Sequence, residues 1–300
     1  MELRQLKAFV KAAELLNFTE AAKTVFVTQS SFSQSIRQLE EELDVKLFHR
    51  NSHEVTLTQA GVELLPYARL TIQKAEDCKS RIVDLKNMRT GTLNVGVTYS
   101  FSALMVETME NFMMKYPGIK LNVFHHTMEN LMEMLEKRDI DFALSFKPSE
   151  TYPNIESHLL FDDRLSVVVK SSHPCAGKKS ITIEEIAKYP LALPAKGLQA
   201  RFSFEKVVEK YLVKLDVRTE IDDVVTLLRL VRNTDLVTML PKASVDTFPD
   251  LVTIPIDDED SVMTGSVSVL KESYKKASAK EFVRMLCETN DIKVKMSSWF

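Results

Sequence analysis

The feature that most limits how this chain can fold is a run of three short helical patterns in its first 43 residues, with almost no chain between the second and the third. Apolar residues recur at helical spacing over residues 3–16. The segment TEAAKTVF, with Thr19 as its expected N-cap, predicts a second helix, and Thr28 is the expected N-cap of a third. A short helix, a tight connection and a new helix in this order are typical of a helix-turn-helix motif.

The third helix, predicted over residues 28–43, has two unlike faces. Its apolar stripe is formed by Phe32, Ile36, Leu39 and Leu43. The opposite face carries hydroxyl, amide and guanidinium groups near the N-terminus, and such groups can contact base edges or phosphates in the major groove. The candidate DNA-binding residues on this helix are Thr28, Gln29, Ser30, Ser31, Ser33, Gln34 and Arg37. The acidic end at residues 40–42 predicts an orientation in which the N-terminal turns enter the groove and the glutamates stay away from the phosphates.

Charge does not decide between a DNA-binding unit and a plain polar helical subdomain. The whole chain has a formal net charge of −3, so any nucleic-acid site must be local. Residues 1–65 contain seven lysines and arginines against nine acidic residues, and they lack a strong basic footprint. On charge alone, both interpretations remain open.

The segment over residues 44–61 adds an element that favours DNA binding. Phe48 and Arg50 precede a short polar loop and an alternating V-T-L strand, a pattern that indicates a wing, which is a small hairpin beside the recognition helix. In order and spacing, the pieces LRQLKAFVKAAE, FTEAA, VTQSSFSQSIRQLEEELDVKLFHR and VTLTQAG resemble the N-terminal domain of the LysR-type transcriptional regulators. The resemblance implies a winged helix-turn-helix domain over residues 1–57 that binds an operator in double-stranded DNA, with Arg50 and His53 touching the backbone or the minor groove.

At the DNA-facing positions the chain departs from the usual pattern of that family. Ser30 stands where proline is usual, Gln34 where arginine is frequent, and His53 where the wing usually carries arginine. Each change removes charge or alters shape at the surface that would meet DNA. The operator sequence and the affinity therefore do not follow from the resemblance.

A single long helix is predicted within residues 58–90, with Thr58 as its N-cap and a hinge at NMRTGT. Apolar residues recur at spacings of three and four from Leu65 to Leu85, and Pro66 is expected to end or kink its first part. An exposed helix of this length needs a partner surface. The resemblance implies antiparallel pairing with a second chain, hence a homodimer, and a homotetramer is common in the family. Packing of the helix on its own domain is the alternative.

From residue 91 onward the pattern changes to short strands that alternate with helices, which predicts an α/β domain with largely parallel sheets. The expected strands are residues 93–97, 120–124, 141–146, 158–161, 165–170, 191–194, 217–221, 236–240, 251–256 and 266–270. The resemblance implies a periplasmic-binding-protein-like effector-binding domain over residues 91–300, with subdomain I at 92–162 and 268–300 and subdomain II at 163–267. The whole chain is thus expected to be an α+β multidomain protein.

Ligands of open α/β sheets bind where parallel strands end, and hydroxyls and free N–H groups at helix N-termini suit an anion such as a carboxylate. On this basis and by the resemblance, the candidate effector-binding residues are Ser100, Phe101, Ser102, Thr127, Phe146, Lys196, Gln199 and Thr226. Simpler roles remain open for several of them. The two serines could be helix caps only, Lys196 a solvated surface charge, and the phenylalanines part of the core.

An enzyme is the main rival class, and the sequence motifs of known catalytic sites are missing. The chain has no phosphate-binding glycine loop, no nucleophile elbow and no HExxH motif. The adjacent pair His125–His126 would point to opposite sides of a strand end, which is poor geometry for a shared metal. We therefore expect no enzyme, no cofactor and no metal.

Three cysteines lie far apart and form no CxxC pair, which favours free thiols in a reducing cytoplasm. A thiol redox-sensing regulator and a stand-alone small-molecule binding module with weakened DNA binding are the alternative functions. No apolar run approaches about 18 residues, so no membrane association is expected. The expected partners are a DNA operator, a small-molecule effector and further copies of the chain, with RNA polymerase as an additional candidate.

Overall fold

The computed structural model describes residues 1–50, 55–85, 90–245, 247–290 and 292. The chain divides into two compact units, Met1–Ile82 and Val83–Phe300. The first unit is almost entirely helical, and the second is built on β-sheet.

The first unit follows the order of elements expected for a winged helix-turn-helix. Its elements are α1 (Leu3–Leu15), α2 (Phe18–Thr24), α3 (Gln29–Leu43), the strands β1 (Phe48–Arg50) and β2 (Val55–Leu57), and α4 (Gln59–Leu85). The two strands form the expected antiparallel hairpin, in which Phe48 pairs with Leu57 and Arg50 pairs with Val55. The predicted helix-turn-helix and its hairpin are therefore confirmed.

Of the two N-caps predicted for the helix-turn-helix, the cap of α3 is confirmed and the cap of α2 is not. Thr28 caps α3 as expected, since its hydroxyl accepts a hydrogen bond from the N–H of Ser31 at 3.2 Å. The prediction of Thr19 as the cap of α2 was wrong. Asn17 holds that position, and its side-chain oxygen accepts from the N–H groups of Thr19 and Glu20 at 3.0 and 3.1 Å. Asparagine is at least as good an N-cap as threonine, and it lets α2 begin at Phe18.

Four phenylalanines hold the helices and the hairpin of the first unit together. The ring centroid of Phe18 lies 5.8 Å from that of Phe32 and 5.3 Å from that of Phe48, and Phe9 lies 5.6 Å from Phe48. All three pairs meet edge to face, which the charge distribution of aromatic rings favours. The apolar stripe predicted for α3 points into this core, and its fully buried members are Phe32, Ile36 and Leu39.

The acidic end of α3 is not entirely a solvated surface. Glu40 is only 3% exposed, and its Oε1 accepts hydrogen bonds from the backbone N–H groups of Leu47 at 3.0 Å and Phe48 at 3.4 Å. Its Oε2 accepts from the ammonium group of Lys46 at 3.3 Å. Glu40 therefore fixes the start of β1 against α3, whereas Glu41 and Glu42 are exposed.

The linker helix α4 begins where the sequence predicts it. The hydroxyl of Thr58 accepts the N–H of Gly61 at 3.0 Å and donates to the carbonyl of Lys46 at 2.6 Å, so it caps the helix and ties it to the hairpin. Pro66 does not end α4, which continues to Leu85. Residues 86–89, which include part of the expected hinge, lie outside the described residues.

The second unit contains nine described strands and six described α-helices. The strands are β3 (Gly91–Val97), β4 (Ile119–His125), β5 (Phe142–Phe146), β6 (Ile155–Lys170), β7 (Pro190–Pro194), β8 (Asp216–Ile221), β9 (Thr238–Pro241), β10 (Leu251–Pro255) and β11 (Val262–Leu270). The helices are α5 (Ser102–Lys115), α6 (Met128–Lys137), α7 (Ile183–Ile186), α8 (Gln199–Val208), α9 (Val224–Arg232) and α10 (Ala277–Thr289). Short 3₁₀ turns lie at Tyr99–Phe101, Lys242–Ser244 and Glu259–Ser261.

The main sheet of the second unit is mixed, so the expectation of largely parallel sheets was wrong. Its strand order is β10-β6-β11-β5-β3-β4, and β9 also pairs with β6. Only β3 with β4 and β3 with β5 are parallel there, while the pairings of β6 with β9, β10 and β11, and of β11 with β5, are antiparallel. A separate two-stranded sheet pairs β7 with β8 in parallel. The alternation of helices and strands reveals the elements but does not determine the direction in which a returning strand pairs.

The 16-residue strand β6 replaces two separate strands expected at 158–161 and 165–170. The polar residues between them continue the ladder, because Asp162 pairs with Thr264 and Arg164 with Val262 on β11. The two strands therefore pair along residues 155–164 of β6, with a register shift between Gly265 and Ser266. Beside this shift, Gly265 leaves room for the ring of its register partner Phe161, which would lie 2.8 Å from an added Cβ.

Candidate functional site

The outer face of α3 brings the predicted DNA-binding side chains together. Its exposed members are Thr28, Gln29, Ser30, Ser31, Gln34 and Arg37, and Ser33 is half-buried. The hydroxyl of Thr28 is 2.9 Å from that of Ser31 and 3.1 Å from that of Ser30, so three hydroxyls cluster at the N-terminus of the helix. This cluster places several short hydrogen-bonding groups beside the free N–H groups of the first turn.

Three longer side chains on the same face are available to a partner. Within the part of the chain that the structure describes, no hydrogen bond or ion pair holds the side chains of Gln29, Gln34 or Arg37. Glutamine and arginine can each make two parallel hydrogen bonds to a base edge. The face can therefore read bases without first breaking contacts inside the protein.

The hairpin carries the two remaining candidates for DNA contact. The backbone of Arg50 ends β1, opposite Val55. The side chain of Arg50 and the whole of His53 lie outside the described residues. Their predicted contact with DNA stays a prediction.

Two cavities in the second unit lie on either side of the segment that leads into α8. The smaller one, here called the strand-end cavity, has a volume of about 320 Å³ and lies where β3 and β4 end. The larger one, here called the outer cavity, has a volume of about 740 Å³ and lies beside the loop after β5 and the first turns of α8. Both share the residues 196–199 as a common wall.

The predicted effector-binding residues divide between these cavities and the interior. The strand-end cavity is lined by Ser100, Thr127, Lys196 and Gln199, and the outer cavity by Phe146, Lys196 and Gln199. Phe101 lines neither, because its ring is buried between those of Phe146 and Phe161, with centroids 5.2 and 5.7 Å away. Thr226 lies in the first turn of α9, where its N–H donates to Asp223 at 2.7 Å, and it also lines neither cavity.

Gln199 has both ends of its side-chain amide occupied within the protein. Its Nε2 donates to the carbonyl of Phe146 at 2.7 Å, and its Oε1 accepts the N–H of Phe146 at 3.1 Å. The amide thus bridges the end of β5 and the start of α8, between the two cavities. A ligand that binds Gln199 directly would have to replace these two hydrogen bonds.

The strand-end cavity presents groups that suit an anion. Thr98, at the end of β3, is only 8% exposed, and its hydroxyl has no hydrogen-bond partner in the described structure. The hydroxyl of Thr127 caps α6, and the first turns of α6 and α8 border the cavity. Helix N-termini carry partial positive charge and unpaired N–H groups. An unpaired buried hydroxyl beside them indicates a place for a hydrogen-bonding ligand.

Three further residues of this cavity were not among the predicted ligands. Thr98, His125 and His126 all lie at or just after the carboxyl ends of β3 and β4. The Nδ1 of His125 is 3.4 Å from the hydroxyl of Ser102, which places the predicted Ser102 beside the cavity wall. Their position at strand ends is the signal that could have identified them.

Burial shifts the pKa of two side chains on the wall of this cavity. The pKa of Tyr99 is raised, mainly by burial and then by the charge of Asp223, so the phenol stays neutral. The pKa of His125 is lowered, mainly by partial burial and then by its neighbour His126. These surroundings therefore favour the neutral form of the His125 imidazole.

All three cysteines are free, and their surroundings do not favour a redox switch. The thiol of Cys175 is buried 2.9 Å from Nδ1 of His173, and burial raises its pKa. Burial also raises the pKa of Cys287 to about 11. Protonated, buried thiols are poor nucleophiles, and Cys78, the exposed one, lies in the first unit on α4.

Among the described residues, no group of three or more histidine, cysteine or acidic side chains is placed to hold a metal ion. In the same part of the chain, no helix combines the length and apolar character needed to cross a membrane.

Comparison with known proteins identifies both units. The family model described as "Bacterial regulatory helix-turn-helix protein, lysR family" matches residues 3–62, and the model described as "LysR substrate binding domain" matches residues 86–291. A similar curated protein, the HTH-type transcriptional regulator BsdA of Bacillus subtilis, is 30% identical over 296 residues, which cover 94% of this chain and 99% of that protein.

Solved structures of full-length regulators share the fold. A cysteine variant of full-length OxyR from Pseudomonas aeruginosa matches with a TM-score of 0.72 at 21% identity, covering 96% of this chain and 94% of that one. Full-length CbnR in complex with its target DNA matches with a TM-score of 0.59 at 23% identity, covering 96% and 100%. The chain belongs to the LysR family of DNA-binding transcriptional regulators, and its second unit is the effector-binding domain of that family.

Proposed function

We propose that this regulator binds its operator through the N-terminal turns of α3. The observation that carries the proposal is the exposed polar face on which Gln29, Gln34 and Arg37 make no contact inside the described structure. These three side chains contact base edges in the major groove, and the hydroxyls of Thr28, Ser30, Ser31 and Ser33 contact phosphates or bases. The wing, through Arg50 and His53, touches the backbone or the minor groove.

The domain limits are part of this proposal. Residues 1–57 form the DNA-binding domain, 58–90 the linker helix and hinge, and 91–300 the effector-binding domain. Subdomain I takes 92–162 and 268–300, and subdomain II takes 163–267.

The proposed DNA contacts are tested by a nuclease footprint on the DNA that flanks the protein's own gene. Wild type should protect at least two helical turns, and Gln29→Ala or Arg37→Ala should each weaken binding by about fivefold to a hundredfold, since a bidentate base contact contributes about 1–3 kcal/mol. Lys137→Gln, which removes an exposed charge from α6 in the second unit, is the matched control and should bind like wild type. Absence of protection at low salt would favour the alternative, a small-molecule binding module with weakened DNA binding.

We propose that α4 pairs with the α4 of a second copy. One side of α4 packs on the core of the first unit through Ala68, with Leu64, Leu65 and Ile72 partly buried. On its other side, Val62, Tyr67 and Leu70 are exposed. A second apolar stripe on a long helix is the feature that supports pairing between chains. Higher assembly to a tetramer and contact with RNA polymerase are consistent with this role.

Leu70→Glu tests the pairing, because it places a charge in the proposed seam. The dimer dissociation constant should rise by about thirtyfold or more, as for a central interface residue. Sedimentation velocity over a range of protein concentrations measures this change. Lys79→Gln changes the net charge by the same amount on the same helix and should leave the dimer intact. Unchanged sedimentation of Leu70→Glu would contradict the proposed interface.

We further propose that a small anionic effector binds in the strand-end cavity. The hydroxyls of Thr98, Ser100 and Thr127 and the nearby helix N-termini support this class of ligand. Binding there shifts the population between two arrangements of the regulator, one of which is better suited to the operator or to RNA polymerase. We infer a regulator without catalytic activity, working in the cytoplasm with the DNA it binds, because its relatives are transcriptional regulators.

A further inference from the structure

Two adjacent histidines stand at the end of β4, on the wall of the strand-end cavity. His125 and His126 both line this cavity and are exposed at its opening. The hydroxyl of Ser102, in the first turn of α5, is 3.4 Å from Nδ1 of His125. The two histidines therefore lie at the carboxyl end of β4, beside the hydroxyl and N–H groups that suit an anion.

The charged and titratable groups around His125 leave it without an acidic partner. The other titratable side chains on the cavity wall are Tyr99 beside β3, His126 on the same strand end, Lys196 before α8 and Asp222 before α9. Asp222 is the single carboxylate among them and is exposed, while Glu129 of α6 faces the outer cavity instead. Among the described residues, no carboxylate is in hydrogen-bond or ion-pair contact with His125.

A histidine on a cavity wall is a group that can change its charge near neutral pH. Imidazole is the side chain whose ordinary pKa allows gain or loss of a proton near neutral pH. A neutral His125 offers one N–H donor and one acceptor, whereas the protonated ring offers two donors and a positive charge. The protonated ring would bind an anion more strongly, because charge-assisted hydrogen bonds are the stronger ones.

We propose that His125 binds the anionic group of the effector in its protonated form, so that effector binding takes up a proton. This inference rests on the proposed effector site and names how that site is regulated. Ser102 orients the imidazole ring through Nδ1, and the buried hydroxyl of Thr98 offers a further donor to the bound group. The regulator would thereby respond to its effector and to pH at a single place.

The surroundings of His125 determine whether anion binding strengthens or weakens as the pH rises. Partial burial and the neighbouring His126 lower its pKa. A bound anion favours the charged ring and raises the pKa again. Binding is therefore tightest below the pKa of the empty site, and it weakens as the pH rises through the pKa of the occupied site.

Isothermal titration of the full-length protein with sulfate tests the proposal. Sulfate is a suitable probe because it keeps its charge throughout the range between about pH 6 and about pH 8, where histidine titrates. Wild type should bind sulfate about threefold to tenfold more tightly at the lower pH, since a charge-assisted hydrogen bond is stronger than a neutral one. Titration in two buffers of different ionisation enthalpy should also show proton uptake.

Two variants test whether the pH dependence of sulfate binding comes from His125 or from the overall charge near the cavity. His125→Gln keeps a polar side chain of similar size and should bind sulfate equally at both pH values, without proton uptake. Lys120→Gln removes an exposed positive charge from the same strand, outside the cavity, and should keep the pH dependence of wild type.

The outcomes distinguish this inference from the effector site on which it rests. Sulfate binding that does not change with pH, or a pH dependence that survives in His125→Gln, would overturn the role of His125 and leave the anion cavity standing. No heat of binding at either pH would overturn both. Equal loss of pH dependence in Lys120→Gln would show a general charge effect and would likewise overturn the proposal.

Discussion

Replacing Phe32 by alanine should destabilise the first unit by about 3–5 kcal/mol, the usual cost of emptying the space of a buried phenylalanine. Phe32 is 1% exposed and meets the edge of Phe18, which in turn contacts Phe48 of the hairpin. The substitution therefore removes the link between α2, α3 and the wing. A domain is stable by only about 5–15 kcal/mol in total, so the substitution should remove a large share of the stability of the first unit.

Urea unfolding followed by circular dichroism measures the effect of Phe32→Ala. The transition that belongs to the first unit should move to lower urea, while the transition of the second unit stays in place. Phe26→Ala is the matched control, because Phe26 is 95% exposed in the same unit and its removal should change the free energy of unfolding by less than about 0.5 kcal/mol. Equal midpoints for Phe32→Ala and wild type would contradict the packing described for α3.

Replacing Glu40 by alanine should loosen the wing and abolish operator binding. Two backbone N–H groups, those of Leu47 and Phe48, would lose their acceptor in a buried place. Each buried N–H group left unpaired costs about 1–3 kcal/mol. Glu40 belongs to α3, and Phe48 belongs to β1 of the wing. The lost hydrogen bonds are therefore the ones that hold the wing in position against α3.

Hydrogen exchange separates this positioning effect from general unfolding. In Glu40→Ala the amides of Leu47 and Phe48 should exchange at least about tenfold faster, and the footprint should disappear. Glu40→Gln keeps a carbonyl oxygen at the same place, so it should retain most of the protection and most of the footprint. If the alanine variant exchanged at the wild-type rate at both amides, Glu40 would have no role in holding the wing.

The elements that depend on local pattern could be predicted from the sequence. The period of Phe32, Ile36 and Leu39 identifies the buried side of α3, because helical geometry alone places these residues on one stripe. The cap at Thr28 follows from local side-chain chemistry in the same way. Asn17 shows the limit of this reasoning, since two good caps stand two residues apart and tertiary packing of Phe18 decides between them.

Features that depend on distant parts of the chain could not be predicted. Glu40 looks like one of three solvated glutamates, and its burial depends on the chain turning back at residues 44–48. The direction of β6 depends on its pairing with β11, about a hundred residues later. In the cavity, strand ends indicated Ser100 and Thr127, whereas the bridge formed by Gln199 requires knowledge of where β5 meets α8.

The two continuous strands β6 and β11 also bear on how the effector-binding domain can be divided. A cut between residues 162 and 163 would sever β6 in its middle, and a cut between residues 267 and 268 would sever β11. Exchange of segments between relatives at these points would therefore interrupt the pairing of β6 with β11 and leave unpaired backbone groups in both products. For protein engineering, a design that keeps both strands whole preserves the sheet on which the second unit is built.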